Sequence, residues 1–450
     1  LASDLTALST YLKTNFDYET GPFEGYNNET PAKRFMGKLD FNLNERNKFT
    51  VRYNYLNSST DQLVSNSTSA GRLGQRRTNA NALSFENAGY EQLENIRNVV
   101  GEWNAIIGGK MANNLSIGYA KHDESRGYKV PTIFPLVDIE EGGLTYTSFG
   151  FEPFTPNNEL RYKSLQIVNN FTVYGEKHDW TFGAALERYN SENVFFPQSQ
   201  SVYVYSSLAD FYTDANGYLA NPARTTSPVT LRRFQVQWSN IPGLDKPLQP
   251  MEVTYAGVYL QDEFRATRDL KLTFGLRFDA PFFGETGFTN PEANGFTFVD
   301  QKGSSIKFQT QKLPDANLLI SPRVGFNWNA SGDRTTQVRG GTGVFTGRPL
   351  YVWISNQIGN NGLLTGQSQI DNTTTRPFNP DPNAYKPTTI ADPPVPASSY
   401  TLATVEPDFK FPQVWRSNLA VDHRLPWGVV GTAEFLYSRD INGIYYYNAN

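Results

Sequence analysis

The sequence predicts an all-β protein: a transmembrane antiparallel up-and-down β-barrel, of which about twelve strands are present. Three observations carry this. Strand-like segments of roughly ten residues alternate apolar and polar positions. They come in pairs joined by turns of about three to seven residues, and polar stretches of about 40 to 65 residues separate the pairs. In Leu270–Asp279, Leu270, Leu272, Phe274, Leu276 and Phe278 fall on one face, and Lys271, Thr273, Arg277 and Asp279 on the other. Lipid on one side of a strand and water on the other select that period of two. A soluble sandwich has no reason to place every long connection at one end.

Six hairpins follow in order. Arg34–Leu43 turns at Asn44–Lys48 and returns as Phe49–Leu56; Asn98–Ile107 turns at Gly108–Gly109 and returns as Leu115–His122. Lys163–Tyr174 turns at Gly175–His178 into Asp179–Tyr189, and Tyr255–Phe264 turns at Arg265–Asp269 into Leu270–Asp279. Leu319–Asn329 turns at Ala330–Arg334 into Thr335–Thr346, and Gln413–Leu425 turns at Pro426–Gly428 into Val429–Ser438. Gly, Asn, Asp and Ser stand where tight turns need them. Each strand is expected to pair antiparallel with its sequence neighbour, helices being short and confined to loops and the N-terminus.

Phe49, Tyr174, Trp180, Trp328 and Trp427 lie close to the short turns; Tyr55, Tyr189, Phe278 and Tyr437 lie at the opposite strand ends. Two such belts suit amphipathic rings at headgroup depth, while a soluble sheet would carry them as edge aromatics. The long loops, at about 57–97, 123–162, 190–251, 280–318 and 347–412, are rich in Ser, Asn, Thr, Gly and Pro. Structureless connections of that length are functional or disordered.

Composition narrows the classes. No apolar run of about eighteen residues occurs, which excludes helical spanning but not a barrel. A net charge of −4, from 40 basic and 44 acidic residues, argues against a nucleic-acid partner. The absence of cysteine removes disulfides, thiolate zinc sites and thiol catalysis. His122, His178 and His423 show no metal-ligand spacing, and no cofactor is implied. Gly340–Gly347 lacks the Gly-Lys-Ser/Thr ending of a phosphate loop and reads better as a strand that another element approaches. Thr213–Gly217 holds part of a calcium-loop pattern without its closing Glu and reads as a plain turn. No catalytic constellation is seen, so an enzyme is not expected.

Thr20–Leu56, Tyr255–Asp279, Ser321–Phe345 and the stretch from Phe411 to Asp440 resemble the barrel of TonB-dependent outer-membrane receptors, specifically the Oar-like group. The resemblance implies a 22-stranded barrel closed by an N-terminal plug in the bacterial outer membrane, importing a solute with energy relayed by TonB. Residues 1–30 would then be the tail of a plug-to-barrel connection and residues 31–450 a partial barrel. No TonB box, plug domain or terminal aromatic strand is seen, so an internal piece of a longer chain is expected. Implied partners are outer-membrane lipid and lipopolysaccharide, the TonB complex through the plug, and an extracellular solute. A passive porin, and a soluble or surface all-β carbohydrate-binding or adhesion protein, remain as alternatives.

Lys38, Asp40, Arg52, Glu102, Glu187, Lys271, Arg277, Asp279, Arg323 and Arg339 fall on the polar strand faces. Each Arg or Lys turned to the lipid midplane would cost about 2–4 kcal/mol, so these residues are expected in the lumen, docking a plug or lining a solvated wall. In the loops, Tyr203, Tyr205, Phe211, Tyr212, Tyr351, Trp353 and Tyr385 are candidates for stacking on a solute, or for packing among the loops.

Overall fold

The computed structural model describes residues 1–65 and 82–449. Part of the first long loop expected at 57–97 therefore lies outside the described residues. The six hairpins form one continuous antiparallel sheet: β1 (Ala32–Asn44), β2 (Asn47–Gln62), β3 (Tyr90–Ile107), β4 (Met111–Asp123), β5 (Glu159–Tyr174), β6 (His178–Val194), β7 (Leu248–Arg265), β8 (Leu270–Phe283), β9 (Leu319–Asn329), β10 (Thr336–Thr346), β11 (Gln413–Arg424) and β12 (Val430–Asn442). Each strand pairs with its neighbours in this order, and β1 and β12 form the two edges. A two-residue strand, Arg126–Gly127, adds to the upper part of β3. Gly108 and Gly109 take φ of 58° and 75° in the second short turn, where side-chain-bearing residues are strained.

Several strands run further into the loops than alternation suggested. β2 continues to Gln62 and β3 starts at Tyr90, so their pairing extends through Asn57–Asn95 and Thr60–Gln92. Alternation fades where both faces meet water, but backbone pairing does not need it.

Register fixes the faces. Phe41, Phe49, Trp103, Leu115, Asn169, Ala184, Val258, Phe278 and Ile320 are opposed in sequence across nine strands. One residue over along each strand, the polar face begins. The apolar face is open, with Phe35 and Leu39 more than 60 % exposed. A soluble β-protein would bury such a face, so the soluble binding-module alternative is set aside. Tyr174 and Tyr189 share the parity of Asn170 and Glu187, on the polar face, and leave the expected belts.

The loops depart most from expectation. Leu136–Glu141, Leu144–Phe149, Val202–Tyr205, Leu231–Ser239 and Thr365–Thr373 build a second, five-stranded sheet. Val202–Tyr205 pairs in parallel with Leu136–Ile139, and Leu231–Ser239 pairs with Thr365–Thr373. The rule of antiparallel pairing between sequence neighbours holds for the long sheet and fails here. Helices α1 (Ala2–Phe16) and α2 (Leu208–Ala220) complete this module.

Of residues 1–30, expected as a plug-to-barrel connection, the stretch from Leu5 to Phe23 packs on the module core, and Glu29 bonds to Asp61 of β2. Leu5, Leu8 and Leu12 follow helical spacing, and all three are fully buried against Phe149, Phe211 and Phe378 in the module core. β1 descends from this rim towards its short turn, so the segment meets the sheet at the long-loop end. Leu8→Ala should cost the module about 2–5 kcal/mol through the cavity left behind. Hydrogen exchange should then speed up in α1 while amides of β7 and β8 stay protected; unchanged α1 protection would contradict the docking.

Candidate functional site

The polar face is a wall of interlocked charges. Opposed pairs link Lys38 to Arg52, Asp40 to Thr50 to Glu102, and Glu187 to Tyr255; Arg277 opposes Ser321, Lys271 opposes Asn327, and Asn327 opposes Arg339. All ten residues expected on the polar face lie on it. Most are neutralised within the wall. Asp40 accepts from Thr50 at 2.6 Å and sits 3.1 Å from Lys38, while Glu102 accepts from Asn104 and Asn114 at 3.0 Å each. Lys271 meets Glu263 at 2.9 Å, Arg339 meets Asp422 at 3.0 Å, and Arg348 from the last loop meets Glu187 at 2.6 Å.

Glycines make room for these side chains. Asp279, 1 % exposed, takes both its oxygens to Arg277 Nε at 2.8–2.9 Å. The Arg277 guanidinium stands 5.2 Å from the Tyr259 ring, and the Tyr259 hydroxyl donates to Asn170. A side chain at Gly183 would overlap the Tyr259 ring, and one at Gly257 would overlap Asp279. Gly275 and Gly343 leave the same space for Arg323, which lies over Phe345. The glycines of Gly340–Gly347 thus serve β10 and its neighbours, as a strand reading requires.

At the loop end of this face lies a cavity of about 470 Å³ lined by Arg52, Asn98, His122, Tyr162, Gln166 and Arg348 among others. Rings run along it in a chain. His122 stacks on Tyr162 at 4.4 Å, Tyr162 meets Tyr189 at 5.5 Å, and Tyr189 meets Tyr351 at 4.7 Å. Tyr162 donates to Glu124 at 2.6 Å. Arg52 is exposed between this cavity and a smaller one of about 240 Å³. Sequence reasoning missed His122, Tyr162, Tyr189 and Arg348. The first three were within its reach: His122 and Tyr189 close strands read from the sequence, Tyr162 directly precedes one, and all three have the parity of the polar face.

Beside the cavity the loops fold onto the polar face. Helix α3 (Val352–Gly359) packs Ile354 and Ile358, with Tyr351 and Phe411, against Met251, Val253 and Leu319 of the wall. Of the seven candidate loop rings, Trp353 alone is exposed, at 36 %. Tyr203, Tyr205 and Phe211 have no exposed surface and form the module core, so of the two roles open to them they pack among the loops rather than face a solute. Tyr212 packs on Tyr11, Tyr385 packs on Phe234, and Tyr351 is 7 % exposed. Burial pushes the Tyr203 and Tyr205 phenols well up from their usual range.

Thr213–Gly217 is neither a calcium loop nor a turn. It lies inside α2, whose Ser207 cap accepts from Asp210 at 3.1 Å. Asp214, fully buried, accepts from Tyr205 at 2.7 Å and from the Phe378 amide at 3.0 Å, and pairs with Arg224 at 2.6 Å. Its carboxylate ties α2 to the sheet and to the last loop.

Gly183→Ala should displace Tyr259 and release Asn170, destabilising the wall by about 1–3 kcal/mol. Adding Tyr259→Ala should remove the clash, so thermal unfolding of the double variant should show strong non-additivity. Additive losses would contradict the interlock.

A family model described as "Outer membrane beta barrel domain" matches residues 3–450. No curated protein matches the chain in sequence. Among solved structures, the outer membrane transporter YddB from Escherichia coli aligns with a TM-score of 0.54 at 11 % identity, covering 91 % of this chain and 40 % of that one. The ferric-catecholate import receptor Fiu from E. coli K12 aligns at 0.43 and 12 % identity, covering 91 % and 51 %. The ferric yersiniabactin uptake receptor FyuA from Yersinia pestis aligns at 0.43 and 8 % identity, covering 91 % and 45 %. This chain therefore spans about two fifths to half the length of these structures. With a family match along nearly its whole length, and a fold shared with an outer-membrane transporter, the chain belongs to the outer-membrane β-barrel domain family and resides in the bacterial outer membrane.

Proposed function

We propose that this chain forms part of a plugged, 22-stranded barrel that imports an extracellular solute with energy relayed by TonB. The observation that carries the reading is the inward folding of the last loop. Tyr351, Ile354, Ile358 and Phe411 pack on the polar face and narrow the long-loop end beside a polar, ring-lined cavity. The wall charges would dock the plug, with Arg52 and Arg348 nearest the incoming solute. Trp353 remains a candidate for the outer contact. The cavity suits a solute with hydrogen-bonding groups and a flat face, because Gln166, Asn98 and Arg52 stand beside Tyr162 and Tyr189.

The full-length parent protein, reconstituted in a planar bilayer in potassium chloride, tests this. A plugged importer should show no steady open channels. Large, constant single-channel steps would contradict the reading and return the porin alternative.

A further inference from the structure

Where β2 runs out into the loops, an amine and two carboxylates meet away from bulk water. Lys129 Nζ lies 2.8 Å from Asp61 Oδ1 and 3.6 Å from Glu86 Oε1. The Lys129 side chain is 10 % exposed and that of Asp61 14 %. Lys13 also touches two carboxylates, but Asp17 and Glu19 are 90 % and 63 % exposed, so water surrounds that cluster.

The backbone holds each member in place. Asp61 opposes Glu91 of β3, and Glu91 opposes Gly127, so Lys129 reaches back from two residues beyond a third paired strand. Glu86 opens a 3-10 turn, Glu86–Ala88, and its amide donates to the Pro22 carbonyl at 2.8 Å. Gly89 lets that turn close on the end of β2, since a side chain there would overlap the Gln62 carbonyl. Asp61 is clamped to Glu29. It donates its amide to the Glu29 carbonyl at 2.9 Å and accepts from the Glu29 amide on Oδ2 at 3.0 Å.

These are the parts of an amide-forming site. An amine held against a carboxyl group replaces the encounter of two free reactants. A second carboxylate beside the amine can take its proton and hand one to the leaving oxygen. The Glu29 N–H stands at Oδ2, where negative charge develops as the amine adds. Shielding from water slows the return by hydrolysis. Burial raises the Asp61 carboxyl, and bonds from Lys129 and the Glu29 amide more than offset it, so the resting pair is ionised. Ionised partners do not react with each other, and a proton carrier between them is therefore needed.

We propose that Lys129 and Asp61 condense to an isopeptide bond, with Glu86 carrying the protons. Glu86 moves two protons in turn from the Lys129 nitrogen to Asp61 Oδ1. The first leaves a neutral amine facing a carboxylic acid; the second follows addition of the amine at Cγ. The Nζ–Cγ bond forms, the Cγ–Oδ1 bond breaks, and Oδ1 departs with both protons as water. Ion pair and amide plus water hold the same atoms and net charge, so no oxidant or co-reactant is required. The bond fastens the second long loop to the end of β2, whatever the barrel transports.

The test uses the full-length parent protein purified in detergent. Its intact mass should be one water below that of its mature sequence. Cyanogen bromide cuts after Met36, Met111 and Met251, which places Asp61 and Lys129 on separate fragments, 37–111 and 112–251. These fragments should stay joined on a denaturing gel, and trypsin should release a branched peptide linking Asp61 to Lys129. K129R keeps the charge pair but cannot condense, so it should show the full mass and separate fragments. E86Q should lower the joined fraction at least about tenfold after the same expression time. The parent's own mass and branched peptide decide the matter even where a variant does not fold. A parent at its full sequence mass, with fragments that separate, would overturn the proposal and leave an ion pair. A branch at other residues, or E86Q joined as fully as the parent, would overturn it as well.

Discussion

Everything in this structure follows from the need to pair backbone amides where water is absent. A strand in lipid can satisfy its N–H and C=O groups only through strands on both sides. The ten inner strands do so here by the shortest connections available, each between its sequence neighbours, and β1 and β12 are paired on one side. Pairing then imposes a period of two, and that period sorts side chains between lipid and lumen. Arg277, Asp279 and Glu187 are tolerable in a membrane because register turns them all to one side.

Inside that wall, close packing replaces the hydrophobic core of a soluble protein. Tyr259 occupies the space over Gly183, and Arg277 covers Tyr259 while holding Asp279 over Gly257. The apolar core lies instead beyond the wall, in the module that the loops build from aromatic rings and α1. The molecule therefore has two stabilising systems: a ladder of backbone bonds in the membrane and a buried aromatic cluster above it.

The first system was legible in the sequence and the second was not. Six hairpins could be read because alternation and turn chemistry are local, as Leu270–Asp279 and Gly108–Gly109 illustrate. The loop sheet joins Leu231–Ser239 to Thr365–Thr373, more than a hundred residues apart, and no local pattern announces such a pair. Tyr203 and Tyr205 looked like loop aromatics for that reason, although they are core residues. Thr213–Gly217 has turn-like composition, yet the Ser207 cap and the buried Asp214–Arg224 pair make it helix. The ten wall residues were found by parity alone. His122 and Tyr189 escaped because one was weighed only as a metal ligand and the other was placed in an aromatic belt, and Tyr162 lies one residue before the strand read from the sequence.

The claim on which the account stands is that neighbouring residues of one strand face different solvents. In this cysteine-free segment, single cysteines at Lys271, Thr273, Phe274 and Leu276 can carry a polarity-sensitive dye, with the full-length protein in lipid vesicles. Lipid-like emission at Phe274 and Leu276, with water-like emission at Lys271 and Thr273, is the expected result. The same apolar emission at all four positions would mean a strand buried on both faces, and would contradict the membrane barrel.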